Sequence, residues 1–242
     1  MMVDKSAERI REMFNSLAPC YDRMNRLMTF RQDQRWRRRL VRMALTGAPR
    51  PACILDLCAG TGDLALGFAA VARTNDSIIA VDFAEALLER AREKAKVLRN
   101  GAVRPECIRA DALNMPFDDA SFDIVSVGFG VRNFEDLERG LREIHRVLRP
   151  GGRLYVLETS HCEIPILRYA VEFYTRRVIP AIGRMISGTQ AYGYLRDSAG
   201  AFPDRREFSR ILEQCGFANV RAVSLSFGAA AIHIGEAGSH DQ

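Results

Sequence analysis

The order of apolar segments predicts a doubly wound α/β fold, with a mostly parallel sheet of seven strands, helices on both faces and an antiparallel hairpin at the C-terminal end. Three observations predict it. Beyond Pro51, short apolar runs alternate with amphipathic stretches of helical period; a glycine loop follows the first run; and two apolar runs separated by Gly228 close the pattern. A parallel strand pair needs a crossover, and a helix is the crossover that also covers a sheet face.

Residues 1–50 read as helical, with periodic patterns at 7–17 and 34–45 flanking a stretch, 19–25, punctuated by Pro, Asp and Asn. In this fold class such helices close over the pocket as a lid. The core spans 51–235. Strands are predicted at 52–58, 77–83, 106–110, 122–128 and 153–159, and helices at 64–72, 85–99 and 137–148. From Cys162 to Gly200 the alternation stops, and a helical stretch carrying Tyr169, Phe173, Tyr174, Tyr192 and Tyr194 reads as an insertion on the substrate side. A helix at 205–215, a turn at Gly216 and a hairpin of runs 220–227 and 229–234 resume the core. The polar tail 236–242 is expected to be disordered.

With 242 residues, 48% of them hydrophobic and 27% charged, the chain can bury a core of ordinary size. Its six cysteines include no Cys-x-x-Cys pair and suit free thiols in a reducing compartment, so neither a metal nor a disulfide framework is expected. Charge begins at Asp4, which leaves no signal-peptide core. The longest stretch free of formal charge, 222–235, has 14 residues, short of the roughly 20 a membrane-spanning helix needs. The cytoplasm is the expected compartment. An excess of 35 Lys+Arg over 30 Asp+Glu is too mild to indicate nucleic acid, and most arginines outside 31–42 are interspersed with acids.

After the first strand, Ile54-Leu55-Asp56-Leu57-Cys58-Ala59-Gly60-Thr61-Gly62-Asp63 forms a small-residue loop. Gly60 and Gly62 admit positive φ and a close backbone approach, so a ligand can sit against the loop at the carboxyl edge of the sheet. About twenty residues on, Asp82 ends the second strand, where a carboxylate grips ribose hydroxyls. Two cofactors suit that geometry. A dinucleotide brings a pyrophosphate to the helix N-terminus, where neighbouring carboxylates repel it. S-adenosylmethionine carries a sulfonium and an ammonium and no phosphate, so Asp56 and Asp63 beside the glycines favour it. Asp63 as a simple helix cap is compatible with either. After the third strand, Asp111 can accept the adenine amine while the Ala112 N–H donates to a ring nitrogen; taken alone, Asp111 is equally a turn residue. Three strand-end elements in register, at 60–63, 82 and 111, together point to the methyl donor.

Leu55 to Asp63, Asp82, Asp111-Ala112, Ser121-Phe122-Asp123 and Arg146 to Gly152 resemble the class I S-adenosylmethionine-dependent methyltransferases. Narrower matches are Tyr21-Asp22-Arg23-Met24-Asn25, Trp36-Arg37, Gly128-Phe129-Gly130-Val131-Arg132-Asn133, Pro180-Ala181-Ile182-Gly183 and Tyr192-Gly193-Tyr194-Leu195. These closely resemble the demethylmenaquinone and ubiquinone-precursor C-methyltransferases, from about Phe14 to Gly235. The resemblance implies methylation of a ring carbon on a prenylated hydroquinone, with Thr61, Asp82, Asp111, Ala112 and Gly128 contacting the donor. One departure stands out: the family places Gly after the residue matching Phe30, where this chain has Arg31, and Asp33 keeps the acidic option the family often has nearby.

Methyl transfer from a sulfonium is an in-line displacement, so the protein must align the ring carbon and exclude water. The carbon is nucleophilic only in a reduced ring whose hydroxyl is at least partly deprotonated. Arg132 is expected to stabilise that phenolate and Asn133 to orient the second ring oxygen; alternatively Arg132 pairs with Glu135 or Asp136. Tyr21 and Asp22 are expected as lid-borne substrate contacts, Asp22 serving as general base if buried or else as a helix cap. His145 reads as structural or solvated, and His233 as core or pocket wall. A prenyl tail requires a membrane or a carrier. Arg31, Arg35, Arg37, Arg38, Arg39 and Arg42 around Trp36 form either a peripheral face for the inner side of an anionic membrane or a solvated helix face. Self-association into a homo-oligomer stays open. The rival readings are a methyltransferase of the same fold acting on another small molecule and a donor-binding module without catalysis.

Overall fold

The computed structural model describes residues 7–160 and 191–238. Three N-terminal helices, α1 (Ala7–Leu17), α2 (Tyr21–Met28) and α3 (Gln32–Leu45), precede the alternating core. The core runs β1 (Cys53–Leu57), α4 (Asp63–Ala69), β2 (Ser77–Asp82), α5 (Glu85–Lys96), β3 (Glu106–Arg109), β4 (Phe122–Gly128), α6 (Leu137–Val147) and β5 (Leu148–Thr159). It continues with α7 (Ala191–Gly200), α8 (Arg205–Gln214), β6 (Phe217–Leu225) and β7 (Ala230–Ala237). The seven strands take the order β3-β2-β1-β4-β5-β7-β6. The first five are parallel, whereas β7 runs antiparallel to both β5 and β6.

Strand alternation sorts the side chains onto two faces. Leu55 and Leu57 of β1 join Leu141, Ile144 and Val147 of α6 and Phe208 and Leu212 of α8 in one core. Ile54 turns the other way, into a core built with Trp36, Leu40, Val41 and Ala44 of α3 and with α4. Each fully buried Leu, Ile or Phe contributes about 1.5–3 kcal/mol. The helices of the first core begin on side-chain caps, Asp136 accepting the Arg139 N–H at 2.9 Å and Asp204 the N–H groups of Arg206 and Glu207 at 2.8 and 2.9 Å. A third cluster, Ile10, Phe14 and Leu17 of α1 with Met24 of α2, packs on Ala84 and Leu87 at the start of α5. It brings the N-terminal helices over the carboxyl edge of the sheet.

Three expectations are corrected. The stretch 19–25 is not a break, because Pro19 precedes the helix and α2 starts at Tyr21. The polar tail does not start at 236: Glu236 and Ala237 belong to β7, in register with Arg153 and Phe217. Trp36 is 8% exposed and donates its indole N–H to Ser226 Oγ at 2.9 Å, so it is a core residue and not a surface aromatic. Arg31 adopts φ +61, a left-handed conformation that glycine takes without strain, which gives the departure at this position its physical meaning. Of the helical insertion at 162–200, the described part is α7; Tyr169, Phe173 and Tyr174 lie outside the described residues, as does 239–242.

Candidate active site

The glycine loop is held from behind by two carboxylates. Gly62 is the N-cap of α4 at φ +80, and it has no side chain with which to cap. Asp56 supplies the missing acceptor from the strand below: its Oδ2 takes the Ala65 N–H at 2.9 Å and its Oδ1 the Ser126 hydroxyl at 2.9 Å. Burial pushes the Asp56 pKa up to about 7 against those two hydrogen bonds. The structure therefore places Asp56 beneath the loop, away from the residues that line the cleft. Asp82, 5% exposed, ties two loops together by accepting the N–H groups of Gly60 at 2.8 Å and Ala84 at 2.9 Å. Burial raises its pKa to about 6 while these N–H groups pull it down.

Beside the loop, Lys94 of α5 gathers three oxygen-bearing groups into one network. Its Nζ lies 2.8 Å from Asp63 and 2.6 Å from Asp22, and it donates to Thr61 Oγ1 at 2.9 Å; Thr61 in turn donates to Asp22 at 2.5 Å. Asp63 is thus neither the cap of α4 nor a wall of the cleft. Burial raises its pKa, but Arg37 and Lys94 outweigh that effect and hold it below the usual carboxylate range. Asp22, expected as a base, is engaged in this ion pair, and Asp22, Thr61 and Gly62 stand outside the cleft lining.

The cleft lies at the carboxyl ends of β1, β2 and β4, where the strand order reverses, and encloses about 740 Å³ up to its open mouth. Its polar lining is Asp82, Asp111 and Glu135 with Tyr21 and Asn133, and no Lys, Arg or His contributes to it among the described residues. Phe14, Val81, Phe83, Leu87, Ala112 and Leu113 supply apolar walls. Tyr21 approaches Gly60 so closely that a Cβ there would touch its ring at 3.6 Å, and burial raises its hydroxyl pKa, which keeps it neutral. Asp111 accepts the Leu113 N–H at 2.9 Å and is otherwise exposed. The acids that line the cleft are therefore not those flanking the glycines.

Beyond β4 the chain presses against β1. A Cβ on Gly130 would meet Cys58 Cβ at 2.4 Å, and one on Gly128 would meet Leu64 Cδ1 at 2.8 Å. The turn that follows, Val131–Asn133, presents Asn133 to the cleft, its Oδ1 accepting the Tyr194 hydroxyl of α7 at 3.2 Å. Arg132 pairs with neither Glu135 nor Asp136. Its NH1 lies 2.5 Å from Oε1 of Glu158, an acid with 0% exposure at the end of β5, and its guanidinium carbon is 5.8 Å from the centre of the Phe129 ring. Arg37 stands 5.3 Å from the same ring and Trp36 6.2 Å. Glu158 and Lys94 escaped sequence reasoning; the signal for Glu158 was a lone acid closing an apolar strand. His233 is a core residue, 2% exposed, with burial pushing its pKa down to about 4, and His145 packs edge-on against Phe217.

A seven-stranded sheet of this order, with an acid-lined cleft at its switch point, is the fold of the S-adenosylmethionine-dependent methyltransferases, and comparison with known proteins places the chain among them. A Thermotoga maritima structure described as an SAM-dependent methyltransferase shares the fold, with a TM-score of 0.61 at 18% identity over 93% of this chain and 99% of that one. The chain belongs to the ubiE/COQ5 methyltransferase family, whose model matches residues 1–237. It is similar to a Geobacter sp. (strain M21) protein named ubiquinone/menaquinone biosynthesis C-methyltransferase UbiE, 41% identical over 96% of this chain and 98% of that one. It is also similar to a demethylmenaquinone methyltransferase of Thermus thermophilus, 45% identical over 93% of this chain and 99% of that one.

Proposed function

We propose that the enzyme methylates a ring carbon of a prenylated hydroquinone, demethylmenaquinol or the ubiquinol precursor. The observation that carries the reading is a cleft lined by acids, with no cation among the described residues that line it, with Asn133 on its wall and the Arg132 guanidinium one residue away. S-adenosylmethionine bound in that cleft supplies a methyl group on a sulfonium. Asp82 has lone pairs left for ribose hydroxyls after its two N–H bonds, and Asp111 with the Ala112 N–H suits adenine. Gly60 and Gly128 give backbone close approach, while Asp56, Thr61 and Gly62 shape the loop from behind. Arg132 holds the ring oxygen whose deprotonation makes the carbon nucleophilic, Asn133 orients the ring, and Tyr21 closes the lid side.

The prenyl tail suggests where the enzyme works. Among the described residues no helix is long and apolar enough to cross a membrane. Arg31, Arg35, Arg38, Arg39 and Arg42 are exposed on or beside α3, with Phe30 70% exposed at its start. That face suits a peripheral seat on an anionic bilayer, with Phe30 in the part expected of Trp36.

Labelled methyl transfer to demethylmenaquinol and to the ubiquinol precursor, compared side by side under reducing conditions, tests the reading. Transfer to one or both is expected. Arg132→Ala should then lower turnover at least about 10²-fold with adenosylhomocysteine affinity unchanged. Donor binding without transfer to either ring would overturn it.

A further inference from the structure

Glu158 closes a run of buried residues, Leu154 to Leu157, and is itself wholly buried. Removing a carboxylate from water is costly unless a cation and hydrogen bonds replace the solvent. Here every replacement falls on one oxygen: Oε1 meets Arg132 NH1 at 2.5 Å, the Thr159 N–H at 2.8 Å and the Thr159 hydroxyl at 3.2 Å. Glu158 Oε2 and Arg132 Nε are buried and have no hydrogen-bond partner among the described residues. A guanidinium and a carboxylate that served stability alone would meet as a two-pronged fork and close both ends. This pair meets end-on and leaves a buried donor and a buried acceptor open, a net cost to folding.

The placement gives that cost a purpose. The guanidinium is fixed from one side by Glu158 and lies over Phe129, a cleft-lining ring, while the next residue, Asn133, is on the cleft wall. An Arg side chain has several rotatable bonds, and without Glu158 nothing else among the described ion pairs holds its charge at this spot. We infer that Glu158 is a positioning residue for methyl transfer: it orients Arg132 so that the guanidinium meets the ring oxygen of the substrate. This inference rests on the assignment of Arg132 to that oxygen.

The test is a double-mutant cycle on the full chain, with kcat and KM for the accepted quinol, adenosylhomocysteine affinity and thermal unfolding measured for each variant. Glu158→Ala is expected to lower kcat about 10²-fold, the scale of a small misplacement of a reacting group. KM and adenosylhomocysteine affinity are expected to stay within about twofold. Combined with Arg132→Ala, it should cost nothing beyond Arg132→Ala alone, because both act through one guanidinium. Glu158→Gln keeps an acceptor facing NH1 and the same shape, so it covers the case in which the Ala variant does not fold; its kcat should lie between those of the Ala variant and the parent. A folded Glu158 variant with parental kcat, or additive losses in the double variant, overturns the inference and leaves Arg132 in place. Parental turnover in Arg132→Ala instead removes the assignment of Arg132, and the role of Glu158 with it.

Discussion

Lys94 of α5 and Asp22 of α2 meet at 2.6 Å beside the glycine loop, and through this pair an N-terminal helix is tied to the core. Both side chains are about three-quarters buried, and Thr61 and Asp63 complete the network. Partial exposure limits the worth of such pairs to about 1 kcal/mol in total, enough to bias the position of α2 without locking it. Lys94→Met is therefore expected to lower stability by about 1 kcal/mol in urea unfolding. Amide exchange across 21–28 should become faster, and adenosylhomocysteine should dissociate faster. Unchanged exchange in α2 would show that Lys94 does not secure it.

The proposed contact of Asp82 with the donor predicts a pH dependence of binding whose sign is set by the environment of this carboxylate. Burial raises its pKa to about 6 in the protein without ligand, so it is protonated below that value. Ribose hydroxyls and a cationic ligand favour the ionised carboxylate. Protonation competes with binding, and affinity should fall as pH drops through about 6 and be level above it. Asp82→Asn should bind adenosylhomocysteine about 10-fold or more weakly, the worth of a charge-assisted hydrogen bond, and should flatten the profile. Calorimetry across this range measures both; a parental slope in the variant would assign the titration elsewhere.

Gly62 answers two demands at once, which separates strain from crowding. Its φ is +80, and a Cβ would come 2.9 Å from Ala91 Cβ. Gly47 has a similar φ of +74 with nothing within 4 Å. Gly47→Ala should cost about 1 kcal/mol, the strain of a left-handed residue. Gly62→Ala should cost a further 1–3 kcal/mol, roughly, for overpacking between α4 and α5. Equal losses in thermal unfolding would mean that α4 and α5 move apart freely.

The arginine face of α3 makes a prediction separable from catalysis. Flotation with phosphatidylcholine vesicles should occur only when phosphatidylglycerol is included. With about 1 kcal/mol per arginine near the surface, Arg35→Glu, Arg38→Glu and Arg42→Glu together should weaken binding at least about 10²-fold. Turnover on a short-chain quinol in solution should be kept. Flotation unaffected by these changes would place the contact on another surface.

Much of this was legible from the chain because local pattern and global role agree. The switch from runs of Val, Ile and Leu to helical period marks the crossovers after β1, β2 and β4, and Gly60, Asp82 and Asp111 are visible because they lie at or just past strand ends. What escaped depends on partners far away in sequence. Asp56 reads as a ligand contact by its nearness to Gly60, yet strand alternation turns it under α4, where it replaces a cap that Gly62 cannot provide. Nothing local pairs Lys94 with Asp22, or Glu158 with Arg132. The place of β7 between β5 and β6 is likewise a matter of sheet order, which hairpin signals around Gly228 do not encode. Trp36 reads as a surface aromatic, on a membrane face or a solvated one, because arginines surround it in sequence, whereas helical period turns it inward.

Phe129 has the Arg37 guanidinium at 5.3 Å and the Arg132 guanidinium at 5.8 Å from its centre. One belongs to the arginine-rich helix, the other to the turn proposed to hold the ring oxygen, and a single benzene ring is their common neighbour. The packing that fixes Phe129 is therefore shared between the inner face of α3 and the guanidinium proposed to steady the reacting oxygen.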